Sequence, residues 1–140
     1  MHPHIVGVKE ACGDIDQIGE VIAECPDDFE VISGDDGMTL PMLSLGGVGV
    51  ISVTSNVAPQ QMLAMLQAWN EGNAQRAREI HYELLPLFQA LFCETNPIPV
   101  KAALECMGRI GPEIRPPMTP IGEAGRARVQ AALKEQGILS

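Results

Sequence analysis

A chain of 140 residues, 46% hydrophobic and 19% charged, has the composition of one globular domain and not of a disordered segment. Its formal net charge of −9 argues against partners such as nucleic acid or an anionic membrane face. The acidity is uneven: residues 1–75 hold 11 acidic residues against one basic, and residues 76–140 hold 7 against 8, with those bases scattered and not gathered into a phosphate-binding stripe.

The opening stretch Met1-His2-Pro3-His4 has neither the basic start nor the apolar run of a leader. The first strand-like run is Ile5–Val8, short and β-branched, with Lys9 at its end and the breaker Cys12-Gly13-Asp14 beyond. Asp14 and Gln17 then stand in capping-box spacing. Ile18, Val21, Ile22 and Cys25 follow at i, i+3, i+4 and i+7, one face of a helix. A second run, Phe29–Ser33, leads through Gly34-Asp35-Asp36-Gly37 into a short helix, Met38–Leu45, closed by Gly46-Gly47. The third, Val48–Val53, passes through Thr54-Ser55-Asn56 into a helix with Pro59 near its first turn. Met62, Met65, Leu66 and Trp69 form its apolar face, which reads as core packing.

Beyond that the pattern is helical. Asn73 can cap a long segment running to about Phe92, with Pro86 as an expected kink. Asn96-Pro97-Ile98-Pro99 reads as an extended elbow, because residues before proline avoid the helical region, and a helix is expected from about Pro99 to Met107. Gly111–Pro120 holds four prolines and must be a surface loop, and Glu123–Gln136 is a last amphipathic helix stopped by Gly137. Strands alternating with helices give an α/β fold with a parallel sheet. The expected division is 1–72, holding the three strands, and 73–140, a helical extension belonging to the same structural unit.

Several motifs fail on inspection. Gly47-Val48-Gly49 lacks the third glycine and following helix of a dinucleotide fingerprint, and Asp35-Asp36-Gly37 lacks calcium-loop spacing. His2, His4 and His81 form no ligand cluster, so no metal is expected. Cys12, Cys25, Cys93 and Cys106 are widely spaced and read as reduced, buried thiols. The apolar run Gly46–Val53 is too short to span a bilayer, and the expected location is cytoplasmic.

In parallel α/β folds functional groups gather at the carboxyl ends of strands. Here those ends carry Lys9-Glu10, Gly34-Asp35-Asp36 and Ile51-Ser52-Val53. Lys9 is the only Lys or Arg in the first 75 residues. Two readings of it stand side by side. It can cap the strand and run its head group out to water. Alternatively, kept dry, it can supply a neutral amine, which Schiff-base chemistry with a carbonyl substrate needs. Strand alternation sets Ile5, Gly7 and Lys9 on one face, and Gly7 is expected to leave room beside the lysine stem. Asp36 reads as a helix-start anion, whereas Asp35 is open between binding a substrate amine and ordering the loop.

Five strings along the chain resemble one family. VGVKEACGD around Lys9, SGDD at Ser33–Asp36, LGGVGVISVTSNVAP at Leu45–Pro59, NPIPVK at Asn96–Lys101 and RPPMTPI near Met118 are similar, in order and spacing, to the C-terminal half of dihydrodipicolinate synthase (4-hydroxy-tetrahydrodipicolinate synthase). The resemblance implies strands six to eight of a (β/α)8 TIM barrel followed by C-terminal helices. It implies a lyase of lysine and diaminopimelate biosynthesis, condensing pyruvate with aspartate semialdehyde. Lys9 would form the imine, with no cofactor beyond that covalent Schiff base. Ile51 would offer backbone contacts to pyruvate, and Gly34, Asp35 and Asn96 would lie on the semialdehyde side. The upstream strands, with the family's proton-relay tyrosine, carboxylate-holding threonines and entrance arginine, have no counterpart here. The chain is therefore expected to form a homo-oligomer or to need an N-terminal half. The alternatives are a catalytically incomplete half-barrel that only assembles or binds pyruvate, or a sialic acid or keto-sugar acid lyase of the same superfamily.

Overall fold

The computed structural model describes His2 and residues 4–140; Met1 and Pro3 of the opening stretch lie outside the described residues. Contacts divide the chain into two compact units, Met1–Ser52 and Val53–Ser140.

The first unit alternates strand and helix: β1 (Gly7–Glu10), α1 (Ile15–Glu24), β2 (Glu30–Ser33), α2 (Thr39–Leu45) and β3 (Gly49–Val50). The strands form one parallel sheet in the order β1-β2-β3. Register pairs Lys9 with Ile32 and Ile32 with Gly49. One face of the sheet is packed: Val31 is buried with Ile18 of α1 and Met42 of α2, and Val21, Ile22, Phe29 and Met38 close around them. Each such side chain contributes about 1.5–3 kcal/mol by leaving water.

Local chemistry starts and stops the helices. The Asp14 carboxylate accepts from the amides of Asp16 at 3.0 Å and Gln17 at 3.3 Å, satisfying donors that the first turn leaves open. The returning leg of the capping box is replaced, because the Asp14 amide donates to Cys12 Sγ at 3.4 Å. Gly46, at φ +111, ends α2.

Strand limits differ from the sequence expectation. The first strand is shifted two residues downstream of Ile5–Val8, although the Val6 carbonyl still accepts from the Glu30 amide at 2.9 Å. The third is two residues long within the expected Val48–Val53, with flanking bonds from the Val48 amide to Val31 O and from the Ile51 amide to Ser33 O. Pairing, not composition, sets these limits. Nor is β1 buried: it lies at the sheet edge with Val8 exposed.

The second unit is helical. A 3-10 turn (Thr54–Asn56) precedes α3 (Pro59–Asn70), α4 (Ala74–Leu91), α5 (Ile98–Cys106) and α6 (Glu123–Glu135). The helix α3, grouped with the strands in the sequence division, packs on α4 and on the 3-10 turn. Met62 and Met65 are buried as expected; Ala68 completes the face, while Leu66 and Trp69 are only half-buried. Asn73 caps α4 through a bond from the Arg76 amide, and α4 runs through Pro86 without a break. Ala77, Ile80, Leu84, Leu87, Phe88 and Leu91 seal its inner face. The elbow is shorter than expected: only the cis Asn96–Pro97 bond precedes α5, and Ile98 is already helical. Pro99 then falls in the first turn, where its missing N–H costs no bond. Gly108–Gly122 is irregular, as its prolines require. Among the described residues no helix is long and apolar enough to cross a membrane.

Candidate active site

Three of the expected site residues meet at the carboxyl end of the sheet. Lys9 sits on β1 opposite Ile32, on the face away from the packed Val31. Ile51 is two residues beyond Gly49, the β3 partner of Ile32, and so shares that face. Its amide is held by Ser33 O at 2.8 Å. Gly34 follows β2 directly, and its amide donates to Glu10 O at 2.7 Å.

The lysine stem is seated by Gly34. A Cβ built on Gly34 would stand 2.7 Å from Lys9 Cε, 3.2 Å from Lys9 Cγ and 2.7 Å from Ala11 Cβ. Those distances are below normal contact, so any other residue at 34 displaces the stem or the strand end. Here the expectation for Gly7 is corrected. A Cβ on Gly7 would meet Glu30 O at 2.5 Å, so Gly7 serves the close approach of β1 and β2, and Gly34 makes the room for Lys9.

A second correction concerns exposure. Lys9 is not kept dry within this chain; it is exposed, as are Ile5 (58%) and Val6 (65%) ahead of β1 and Ile51 (51%) just after β3. The physical reason is the sheet edge: β1 has β2 on one side and no strand on the other among the described residues.

Asp35 orders the loop. Its Oδ1 accepts from the Gly37 amide at 2.8 Å, and its carbonyl accepts from Ser33 Oγ at 2.7 Å and Thr39 Oγ1 at 3.1 Å. Asp36, read as a helix-start anion, does stand in the turn that enters α2. It is buried, lies three residues ahead of α2, and its carbonyl accepts from the Thr39 amide. Asn96 belongs to the second unit, exposed on the turn before α5.

Sequence reasoning assigned no role to Glu10, Ser33 or Thr39. The Glu10 carboxylate accepts from the amides of Ala11 at 2.7 Å and Cys12 at 2.8 Å, and these bonds, Cys12 first, hold it below the usual carboxylate range. It thereby fixes the turn immediately after Lys9. Ser33 and Thr39 are fully buried hydroxyls that build the Gly34-Asp35 turn. A Ser two residues before an Asp is a turn signal that could have been read. The cysteines are free but not buried: Cys12 is exposed and the others are partly exposed. His81 has a packing role, its ring edge-on to Tyr82 and Phe88.

Parallel strands alternating with helices, with a lysine and a tight glycine-aspartate turn at the carboxyl end of the sheet, define the class: an α/β protein. The dihydrodipicolinate synthetase family model matches residues 1–136, and the chain belongs to that family. It is 55% identical over 138 residues to a 4-hydroxy-tetrahydrodipicolinate synthase from Methanopyrus kandleri, covering 99% of this chain and 46% of that protein. It is also similar to the crystal structure of dihydrodipicolinate synthase from Thermotoga maritima, with TM-score 0.93, 49% identity, and coverage of 96% of this chain and 46% of that one. A chloride-inhibited dihydrodipicolinate synthase from Acinetobacter baumannii, complexed with pyruvate, superposes with TM-score 0.92 at 40% identity, covering 98% of this chain and 47% of that one. The chain thus spans about half the length of these relatives.

Proposed function

We propose that this chain carries the imine-forming lysine of a 4-hydroxy-tetrahydrodipicolinate synthase, a lyase that joins pyruvate to aspartate semialdehyde. The observation that carries the reading is the seat of Lys9, whose stem runs past Gly34 at the carboxyl end of the sheet. In this reading β1, β2 and β3 correspond to strands six, seven and eight of a (β/α)8 barrel, and the parallel order β1-β2-β3 supports it.

The Lys9 amine, once it has given up a proton, adds to the keto carbon of pyruvate; the carbinolamine takes up a proton and loses water, giving a protonated imine. Loss of a methyl proton converts the imine to an enamine, and the enamine carbon attacks the aldehyde of the semialdehyde to form the new carbon–carbon bond. Ile51 lines the pyruvate side through its backbone. Gly34, Asp35 and Asn96 serve the semialdehyde side, with Asp35 acting chiefly through the turn it orders. No cofactor enters beyond the covalent imine. Such a biosynthetic enzyme works in the cytoplasm.

Exposed apolar residues at both edges of the sheet, Ile5, Val6 and Val8 beside or on β1 and Ile51 beyond β3, favour a second reading for the chain by itself: a half-barrel that binds pyruvate but turns over only with a partner, a further β/α segment or another copy. Assays with pyruvate plus aspartate semialdehyde, and with pyruvate plus a sugar aldehyde, test both. Turnover with the semialdehyde supports the lyase. Turnover only with the sugar aldehyde moves the chain to the keto-sugar branch. Pyruvate capture without turnover supports the half-barrel.

A further inference from the structure

We infer that Glu94 is a positioning residue: from the turn ahead of α5 its carboxylate caps α6, and this tie fixes the segment that presents Asn96. The helix α6 starts after Gly122, a residue with no side chain of its own to satisfy the open amides of the first turn. The Gly122 amide instead donates to Glu94 Oε1 at 3.0 Å, across 28 residues of sequence. A carboxylate at that end also complements the helix dipole.

Two glycines admit it. A Cβ on Gly122 would stand 3.3 Å from Glu94 Oε1. A Cβ on Gly125 would collide with the same oxygen and stand 3.2 Å from Glu94 Cδ and 3.0 Å from Ile121 Cγ1. Gly125 lies inside α6, where glycine is otherwise disfavoured relative to alanine. A Cβ there would push the Glu94 carboxylate away from the Gly122 amide.

The chain between Glu94 and α5 is short and bonded. Thr95 O accepts from the Ile98 amide at 2.9 Å, and Pro97 O accepts from the Lys101 amide at 3.0 Å. Asn96, exposed on this turn, stands two residues after Glu94, so the tie to α6 fixes where its turn begins. A separate tie joins the two helices: Arg126 Nη2 meets Glu105 at 2.6 Å. Loss of Glu94 therefore leaves α5 and α6 joined and the unit folded. The consequence for substrate rests on the role proposed for Asn96; the cap does not.

Thermal unfolding and amide NMR of the 140-residue chain test the inference without substrate, so failure of the lyase reading leaves the result untouched. Glu94→Ala is expected to lower Tm by about 3 °C, and Gly125→Ala, which displaces the carboxylate while adding a helix-favouring methyl group, is expected to change Tm by less than it does once Glu94 is gone. In the Glu94→Ala background, Gly125→Ala is expected to raise Tm, because the helix gains an alanine and nothing remains to clash. The Gly122 amide and Asn96 side-chain signals should move in both single variants and return in Glu94→Gln, whose amide oxygen can still accept. An equal Tm change for Gly125→Ala with and without Glu94 would overturn the inference. So would unmoved Gly122 and Asn96 signals in Glu94→Ala, or no recovery in Glu94→Gln.

Discussion

In Val53–Ser140 the side chains that hold the fold are sealed: Met65, Leu84, Leu87, Leu91, Val129 and Leu133 are all fully buried on α3, α4 and α6. In Met1–Ser52 the buried apolar cluster is three residues deep on one side of a three-stranded sheet, and the other side carries Lys9 and Ile51 in the open. The first arrangement satisfies itself. The second commits its helix-facing surface to a small core and leaves the face of Lys9 open. The contrast teaches that the sealed core and the open sheet face belong to different stretches of this chain, and substitutions should separate them.

The largest expected effect is in the sealed unit. Leu84→Ala removes a fully buried side chain and should cost about 2–5 kcal/mol in urea unfolding. Val8→Ala, on the exposed edge strand, should stay within about 0.5 kcal/mol of the parent. Equal losses would erase the contrast. Gly34→Ala should cost about 1–3 kcal/mol, because the new methyl group overpacks Lys9 and Ala11, and should depress pyruvate capture more than it depresses Tm. Asp14→Ala should cost about 1 kcal/mol through the lost α1 cap, leaving capture unchanged.

The smallest effect is a pH dependence. Burial pushes the His81 imidazole below its ordinary value of 6.5, so the fold favours the neutral ring. As pH falls through 6.5 the unfolded chain takes up the proton first, and stability falls. Glu10, held low by its turn amides, adds a loss of the same sign only as pH falls below 4.5. Tm measured from pH 8 to 5 should decline in the parent and decline less in His81→Leu.

The helices were legible because their signals are local. Asp14, Pro59, Asn73 and Gly137 mark ends within one or two residues of those observed. The three parallel strands were also legible, and the role proposed for Lys9 comes from motif strings spread over the whole chain. The strand limits were not, because Lys9 pairs with Ile32 and Ser33 with Val50 across helices the local pattern cannot see past. The exposure of Lys9 was missed for the same reason: an apolar run reads as buried whether or not a neighbour covers it. Gly34 and Glu94 act through contacts with distant residues, and only geometry shows which side chain each glycine admits.

The most direct test of the central claim is borohydride reduction of the chain in the presence of pyruvate, followed by peptide mapping. The expected result is a single reduced pyruvate adduct on Lys9, absent from Lys9→Ala while that variant keeps the parent's Tm. An adduct that persists in Lys9→Ala, or that maps to Lys101 or Lys134, would contradict it.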